Sequence, residues 1–268
     1  MMKNRIIICG YPKSGNTWLT RLTAEIINCP VIGFWCEPFN HEEAIEGLDR
    51  DSNYECFKAH HNLHDMNYTL KYYGNDREKI IYIVRDPRDV IVSAYHHFSR
   101  NKAIPYRILF KIMSITSYTS RKYEELFNYW TKNIESEKLK SFTRKLLEGG
   151  SKKDNYWLRT PWKEHVLGYL NSGMHIVKYE DLKINPLDEA RKICEYLSID
   201  RTNEQLSEAI ANQSIDKKRS LFLKEGKTQK ASFLRKGTFG QYKEFLDIDS
   251  IRMIDSTLID LLIALRYQ

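Results

Sequence analysis

Residues Arg5–Trp18 read RIIICGYPKSGNTW, and this stretch decides the fold. Ile6, Ile7, Ile8 and Cys9 form a short apolar run that suits a parallel strand buried on both faces. Gly10 to Asn16 reads as a tight turn. From Thr17 to Asn28, the residues Trp18, Leu19, Leu22, Ile26 and Ile27 recur at helical spacing. Strand, loop and helix in succession aim the first helical amides and the positive end of the helix dipole at the loop. Gly10 and Gly15 let the backbone there approach an anion. Phosphate binding is the predicted use. Gly10 and Gly15 have the spacing of a triphosphate-binding loop, yet Asn16 stands where that loop carries lysine, and the loop's lysine is Lys13. A cation inside the loop suits a shorter 5′ anionic tail, one phosphate plus one further acidic group, better than a triphosphate.

The chain has 268 residues, within reach of one hydrophobic core, and a single domain over 1–268 is expected. No linker of low complexity and no solenoid repeat interrupts it. The first residues carry too short an apolar run for a signal peptide, and nothing approaches the roughly 18 apolar residues of a membrane span, so a cytoplasmic location is expected. Cys9, Cys29, Cys36, Cys56 and Cys194 are scattered, without the spacing of a disulfide framework or a zinc site, and no metal is expected. The net charge of +7 favours anionic partners.

Val31 to Gly47, with Pro30, Gly33, Pro38 and the aromatics Phe34, Trp35 and Phe39, reads as a loop. Tyr54 to Ala59 is a short strand with Lys58 near its end, followed by His60, His61 and His64. In a doubly wound sheet, ligands collect at the C-terminal ends of strands, where a neutral histidine can act as a general base. Lys79 to Val84 is the next strand, with Arg85 directly after it. Pro87 starts a helix with Val90, Ile91, Ala94, Tyr95 and Phe98 on its apolar face. Arg85 and Ser93 are thus a strand-end guanidinium and a helix hydroxyl suited to a second phosphate.

Asn101 to Lys153 holds twelve Lys or Arg against five Glu, an excess as large as the net charge of the whole chain. Tyr106, Phe110, Tyr118, Tyr123, Phe127, Tyr129 and Trp130 are interleaved, and amphipathic helices are expected. Trp162 to Leu170 reads as a helix, Met174 to Tyr179 as a strand, and Asn185-Pro186 as a helix start. Thr202 to Asn212 is a polar helix, Ile215 to Ser232 a Lys-rich mobile stretch, and Arg235-Lys236-Gly237 with Gly240 a basic loop. Ile251 to Leu265 is a closing helix.

In order, these segments resemble the sulfotransferases that use 3′-phosphoadenosine 5′-phosphosulfate (PAPS). The first loop of that family reads close to YPKSGTTW, and here it is YPKSGNTW. Arg85 and Ser93 match the family's Arg and Ser eight residues apart. Lys58-Ala59-His60 matches its Lys-Thr-His, Tyr179-Glu180-Asp181 its Tyr-Glu-Asp, and Arg235-Lys236-Gly237 its Arg-Lys-Gly. The resemblance implies an α/β, P-loop-like single domain with a central parallel sheet flanked by helices, residues 101–160 being a helical insertion on the acceptor side. It implies that Lys13, Ser14, Gly15, Asn16 and Thr17 hold the 5′-phosphosulfate, and that Arg85, Ser93, Arg235, Lys236 and Gly237 hold the 3′-phosphate. Trp18 and Tyr179 would contact adenine. His60 would take the acceptor's proton, with Lys58 and Lys13 stabilising charge. The products would be a sulfated acceptor and 3′-phosphoadenosine 5′-phosphate (PAP), with no metal required.

The chain departs from the family pattern at Asn16 and Ala59, where the family has Thr, and at His61-Asn62, where it has Leu-Pro. Gln241-Tyr242 stands in place of Asp-Trp, and the short C-terminal dimerisation motif is absent, which leaves the oligomeric state open. His60 is the expected base, with His61 beside it as the alternative. Two rival readings exist. A P-loop NTPase or kinase would use Gly10 to Thr17 on a triphosphate, against which Asn16 argues. A non-enzymatic basic module would bind nucleic acid or acidic glycan through residues 101–153, which leaves the phosphate loop unexplained. No nucleic-acid partner is therefore expected. The acceptor, whether sugar, lipid headgroup at a membrane surface, peptide or small alcohol, is left open.

Overall fold

The computed structural model describes residues 2–36, 45–99, 135–154, 158–226, 228 and 237–267. Expectations placed on Pro38, Phe39, the aromatics and basic residues of 101–134, Arg235 and Lys236 lie outside the described residues. The chain divides into two compact units, residues 1–85 with 162–239, and residues 86–161 with 240–268.

The first unit holds a five-stranded parallel sheet of β1 (Asn4–Gly10), β2 (Val31–Phe34), β3 (Tyr54–Ala59), β4 (Glu78–Val84) and β5 (His175–Lys178), in the order β2-β3-β1-β4-β5. β1 is central, paired in register with β3 from Asn4↔Tyr54 to Cys9↔Ala59 and with β4 from Arg5↔Glu78 to Gly10↔Ile83. Its side chains alternate between two apolar layers, as the period of a strand requires. Ile6 and Ile8 join a core with Leu19 and Leu22 of α1 (Asn16–Ile27), Ala190 and Ile193 of α7 (Pro186–Leu197), and Leu206 of α8 (Asn203–Asn212). On the opposite face, the Cys9 sulfur lies 3.2 Å from the Tyr169 hydroxyl, and Tyr82 stacks on Tyr169 at 4.2 Å. Tyr169 belongs to α5 (Trp162–Leu170), which lies on this face of the sheet. α2 (Leu63–Tyr73) buries Met66 and Thr69, and the Thr69 hydroxyl accepts from the Trp35 indole at 2.9 Å.

Two expectations are corrected. Val31 to Gly47 is not wholly loop: Val31–Phe34 is an edge strand on β3, its register broken between Val31 and Gly33, where Gly33 has φ 137°. Glycine and the flanking proline masked a strand of only four residues. Nor is Ile215 to Ser232 mobile throughout. Ser214 caps α9 (Ile215–Lys224) by accepting from Lys217 N, and Phe222 is buried beneath the Arg21 guanidinium, 5.5 Å away. The lysines hid an ordinary N-cap signal. A smaller shift concerns Tyr179, which ends no strand but opens the short helix α6 (Tyr179–Ile184).

In the second unit, α3 (Pro87–Ser99) starts at the expected proline. Residues 135–148 form α4, and α10 (Tyr242–Phe245) and α11 (Ile248–Ala264) follow. Asp89 of α3 accepts from the main-chain amides of Gly240 at 2.6 Å and Tyr242 at 3.1 Å. Arg88 pairs with Asp86 at 2.7 Å and Asp255 at 3.0 Å.

Candidate active site

The loop between β1 and α1 ends at Gly15, whose φ of 106° belongs to glycine and which caps α1 without a side-chain hydrogen bond. A Cβ at Gly15 would stand 2.6 Å from the ring of Tyr179. Lys13 has φ 73°, outside the range most side chains adopt. The Ser14 hydroxyl is buried with no hydrogen-bond partner among the described residues. A helix start with glycine, a buried hydroxyl and Lys13 beside it is a donor set for an anion.

Tyr179 ties several of the predicted residues together. Its ring meets Trp18 edge-on at 5.8 Å, carries the Arg85 guanidinium 4.3 Å away, and its hydroxyl donates to the Gly237 carbonyl at 3.0 Å. Arg85 donates in turn to the carbonyls of Lys13 at 3.2 Å and Thr238 at 3.1 Å, while its Nε is buried without a partner among the described residues. The loop, the end of β4, the start of α6 and the segment after residue 236 therefore converge. Thr17 is half-buried in the first turn of α1, and Ser93 is half-buried on α3 in the second unit.

A cavity of about 510 Å³ opens beside Trp18, lined also by Leu182, Lys183, Pro186, Ile215, Arg219 and Thr238. The Lys183 ammonium lies 5.3 Å from the Trp18 ring. Ile215, Arg219 and Thr238 were not singled out in the sequence. The Ser214 cap is a signal for the first two, and Thr238 meets Arg85 through its main-chain carbonyl, which side-chain patterns do not encode.

At the other end of the loop, His60 follows β3 directly and is buried. Its Nδ1 lies 2.9 Å from the Gly10 carbonyl and 3.2 Å from the amide nitrogen of Asn16. Burial pushes the imidazole well below its ordinary pKa, and the nearby charge of Lys58 adds to the effect. His60 is therefore neutral at pH 7, as a general base must be. Lys58, two residues earlier on the same face, sits 4.6 Å over the Phe34 ring. His165 of α5 supports this corner: its Nε2 donates to the His60 carbonyl at 3.2 Å and its Nδ1 accepts from the Tyr82 hydroxyl at 2.8 Å. Burial lowers the His165 pKa to about 4. Its spacing of four from Tyr169 on a helix was the available sign that the two share a face. The His61 carbonyl accepts from the Tyr169 hydroxyl at 2.9 Å and the Cys9 thiol at 3.2 Å.

No group of His, Cys, Asp and Glu able to hold a metal ion occurs among the described residues, and no helix there is long and apolar enough to cross a membrane.

A family model described as the sulfotransferase domain matches residues 3–262. Among curated proteins, mouse sulfotransferase 2A6 is 22% identical, the alignment covering 97% of this chain and 84% of that protein. Flavonol 3-sulfotransferase of Flaveria bidentis is 24% identical, over 96% and 81%. Among solved structures, a mouse sulfotransferase complexed with PAP superposes with a TM-score of 0.66 at 21% identity, covering 97% of this chain and 84% of that one. Retinol dehydratase, solved with androsterone and the inactive cofactor PAP, gives 0.61 at 17% identity, over 97% and 80%. These structural likenesses bear on the fold alone.

Proposed function

The chain belongs to the sulfotransferase domain family and is an enzyme of sulfuryl transfer; we propose that its donor is PAPS, held at the β1–α1 loop, and that His60 is the base. The observation that carries this reading is that one loop touches both a neutral imidazole, through Gly10 and Asn16, and the Arg85 guanidinium, through the Lys13 carbonyl. The residues fit such a donor: the buried hydroxyl of Ser14 and Nε of Arg85 have no partner among the described residues, and the cavity beside Trp18 has room for a nucleobase. PAPS, when bound, supplies a sulfuryl group on a phosphate leaving group.

The protein does the rest. Ser14, the amides of the first turn of α1 and Lys13 bind the 5′ end. Arg85 and Gly237 serve the 3′-phosphate, and Trp18 with Tyr179 orients the adenine. His60 takes the proton from the acceptor's hydroxyl or amine as that oxygen or nitrogen bonds to sulfur, and Lys13 and Lys58 stabilise the negative charge that develops as the bond to the leaving phosphate breaks. The whole chain acts as one sulfotransferase domain located in the cytoplasm. The excess of twelve Lys or Arg over five Glu in residues 101–153 supports a large or anionic acceptor, such as a glycan or a lipid headgroup.

A thermal-shift comparison of PAPS, ATP with Mg²⁺ and an oligonucleotide tests the assignment. A ligand at 100 times its dissociation constant stabilises the native state by about 2.7 kcal/mol. PAPS should raise the melting temperature and the other two should not; a shift with ATP and Mg²⁺ alone would favour a kinase.

A further inference from the structure

Asn16 opens α1, is 2% exposed, and donates both amide hydrogens to main-chain carbonyls: Gly10 at 2.8 Å, ending β1, and Ala59 at 3.0 Å, ending β3. Cys9 and Ala59 are the last register pair of these neighbouring strands, so the side chain supplies the rung beyond the ladder. Asn16 and Ala59 are also two of the positions at which the sequence leaves the family pattern, and here they meet. The two carbonyls fix the orientation of the amide, since turning it over would set Oδ1 against two acceptors. The orientation is kept although it leaves Oδ1 buried without a partner among the described residues.

With both hydrogens engaged, the Asn16 amide has none to give the Nδ1 of His60, 3.2 Å away. That ring nitrogen lies 2.9 Å from the Gly10 carbonyl, which only accepts. The proton of the neutral ring therefore sits on Nδ1, and Nε2 carries the lone pair.

We infer that Asn16 is a positioning residue for His60: by holding the Gly10 carbonyl between β1 and β3, it fixes the imidazole in the Nδ1–H tautomer and makes Nε2 the atom that accepts the proton during sulfuryl transfer. The inference rests on the assignment of His60 as base. Among the described residues, Lys58 and Lys13 are charged groups near the ring and His165 is a titratable neighbour; all three disfavour the imidazolium, while the Gly10 carbonyl favours it. A carboxylate at position 16 would oppose those three. It cannot donate to either strand carbonyl, it accepts from Nδ1–H, and a negative charge that close typically raises a pKa by about 1 to 3 units.

The test begins with the ligand-free wild type, labelled with ¹⁵N-histidine, in long-range proton–nitrogen NMR spectra at pH 7. A His60 ring protonated on Nδ1 is expected; protonation on Nε2 overturns the inference and needs neither a variant nor a substrate. Asn16→Asp should raise the His60 titration midpoint by about one unit or more and carry the acid limb of kcat upward with it. Asn16→Ala should lower kcat by about 10- to 100-fold while PAP affinity by calorimetry stays within about threefold, because the amide is directed at carbonyls rather than at the anion site. An unmoved midpoint in Asn16→Asp overturns the positioning role. Should neither variant fold, the wild-type spectrum decides alone. Failure of wild-type protein to bind PAP overturns the sulfuryl-transfer reading itself, whatever the tautomer.

Discussion

The Arg85 guanidinium lies 4.3 Å from the centre of the Tyr179 ring, joining the end of β4 to the start of α6 beside the β1–α1 loop. Stacked on a ring and donating to the carbonyls of Lys13 and Thr238, the planar group is held in place before any ligand arrives. An ammonium could not combine these contacts.

Gly15 is where this packing is least forgiving. Alanine there would place a Cβ 2.6 Å from the Tyr179 ring on a backbone with φ 106°. Gly15→Ala should destabilise the protein by about 1 to 3 kcal/mol and weaken PAP binding. Urea denaturation and calorimetry check the two effects; wild-type values for both would show that the loop tolerates displacement of Tyr179.

Lys13→Ala should lower kcat by about 100- to 1000-fold, the usual cost of removing a group aimed at charge developing in the transition state. The fold should survive, because what Lys13 gives Arg85 is its carbonyl, which the substitution keeps. Steady-state kinetics beside a thermal melt distinguishes lost catalysis from lost structure, and an active variant would take Lys13 out of the mechanism.

His60→Ala should cost about 100- to 10,000-fold in turnover, the usual range for a general base, and His61→Ala should cost much less. Burial holds His60 neutral well below the ordinary histidine range, so the acid limb of kcat/KM should fall below pH 6.5. A limb at or above pH 7, or inactivation confined to the His61 variant, would move the base elsewhere.

Burial lowers the pKa of His165 from 6.5 to about 4. The unfolded chain therefore takes up this proton first as the pH falls, and stability present above pH 6.5 is lost between there and about pH 4. At 1.36 kcal/mol per unit, the loss is about 3 kcal/mol. His165→Gln keeps a donor for the His60 carbonyl and an acceptor for Tyr82, and should flatten this part of the profile. Urea midpoints of both proteins across that range provide the check, and parallel profiles would contradict the burial argument.

The sequence revealed most where physical chemistry is local. The strand from Ile6, the helix over Trp162–Leu170 and the proline starts of α3 and α7 follow from apolar period and capping, and the structure has them. Tyr54–Ala59 matched for the same reason. What lay beyond reach depended on partners distant in the chain. Val31–Phe34 is a strand because β3 pairs with it, not because its residues demand one. Thr238 matters through a carbonyl, and Asn16 through two carbonyls on different strands. The sequence marked Asn16 as a departure from the family loop, but only the ends of β1 and β3 show where its amide goes.

A β1–α1 loop and Arg85 that together hold a nucleotide with phosphates at both ends of its ribose should distinguish PAP from AMP in calorimetric titration. A charge-assisted hydrogen bond is worth about 1.5 to 3 kcal/mol, so PAP should bind at least about tenfold more tightly than AMP, and Arg85→Ala should abolish most of that difference. Equal affinities for the two nucleotides in the wild type would mean that Arg85 and the β1–α1 loop do not hold a 3′-phosphate.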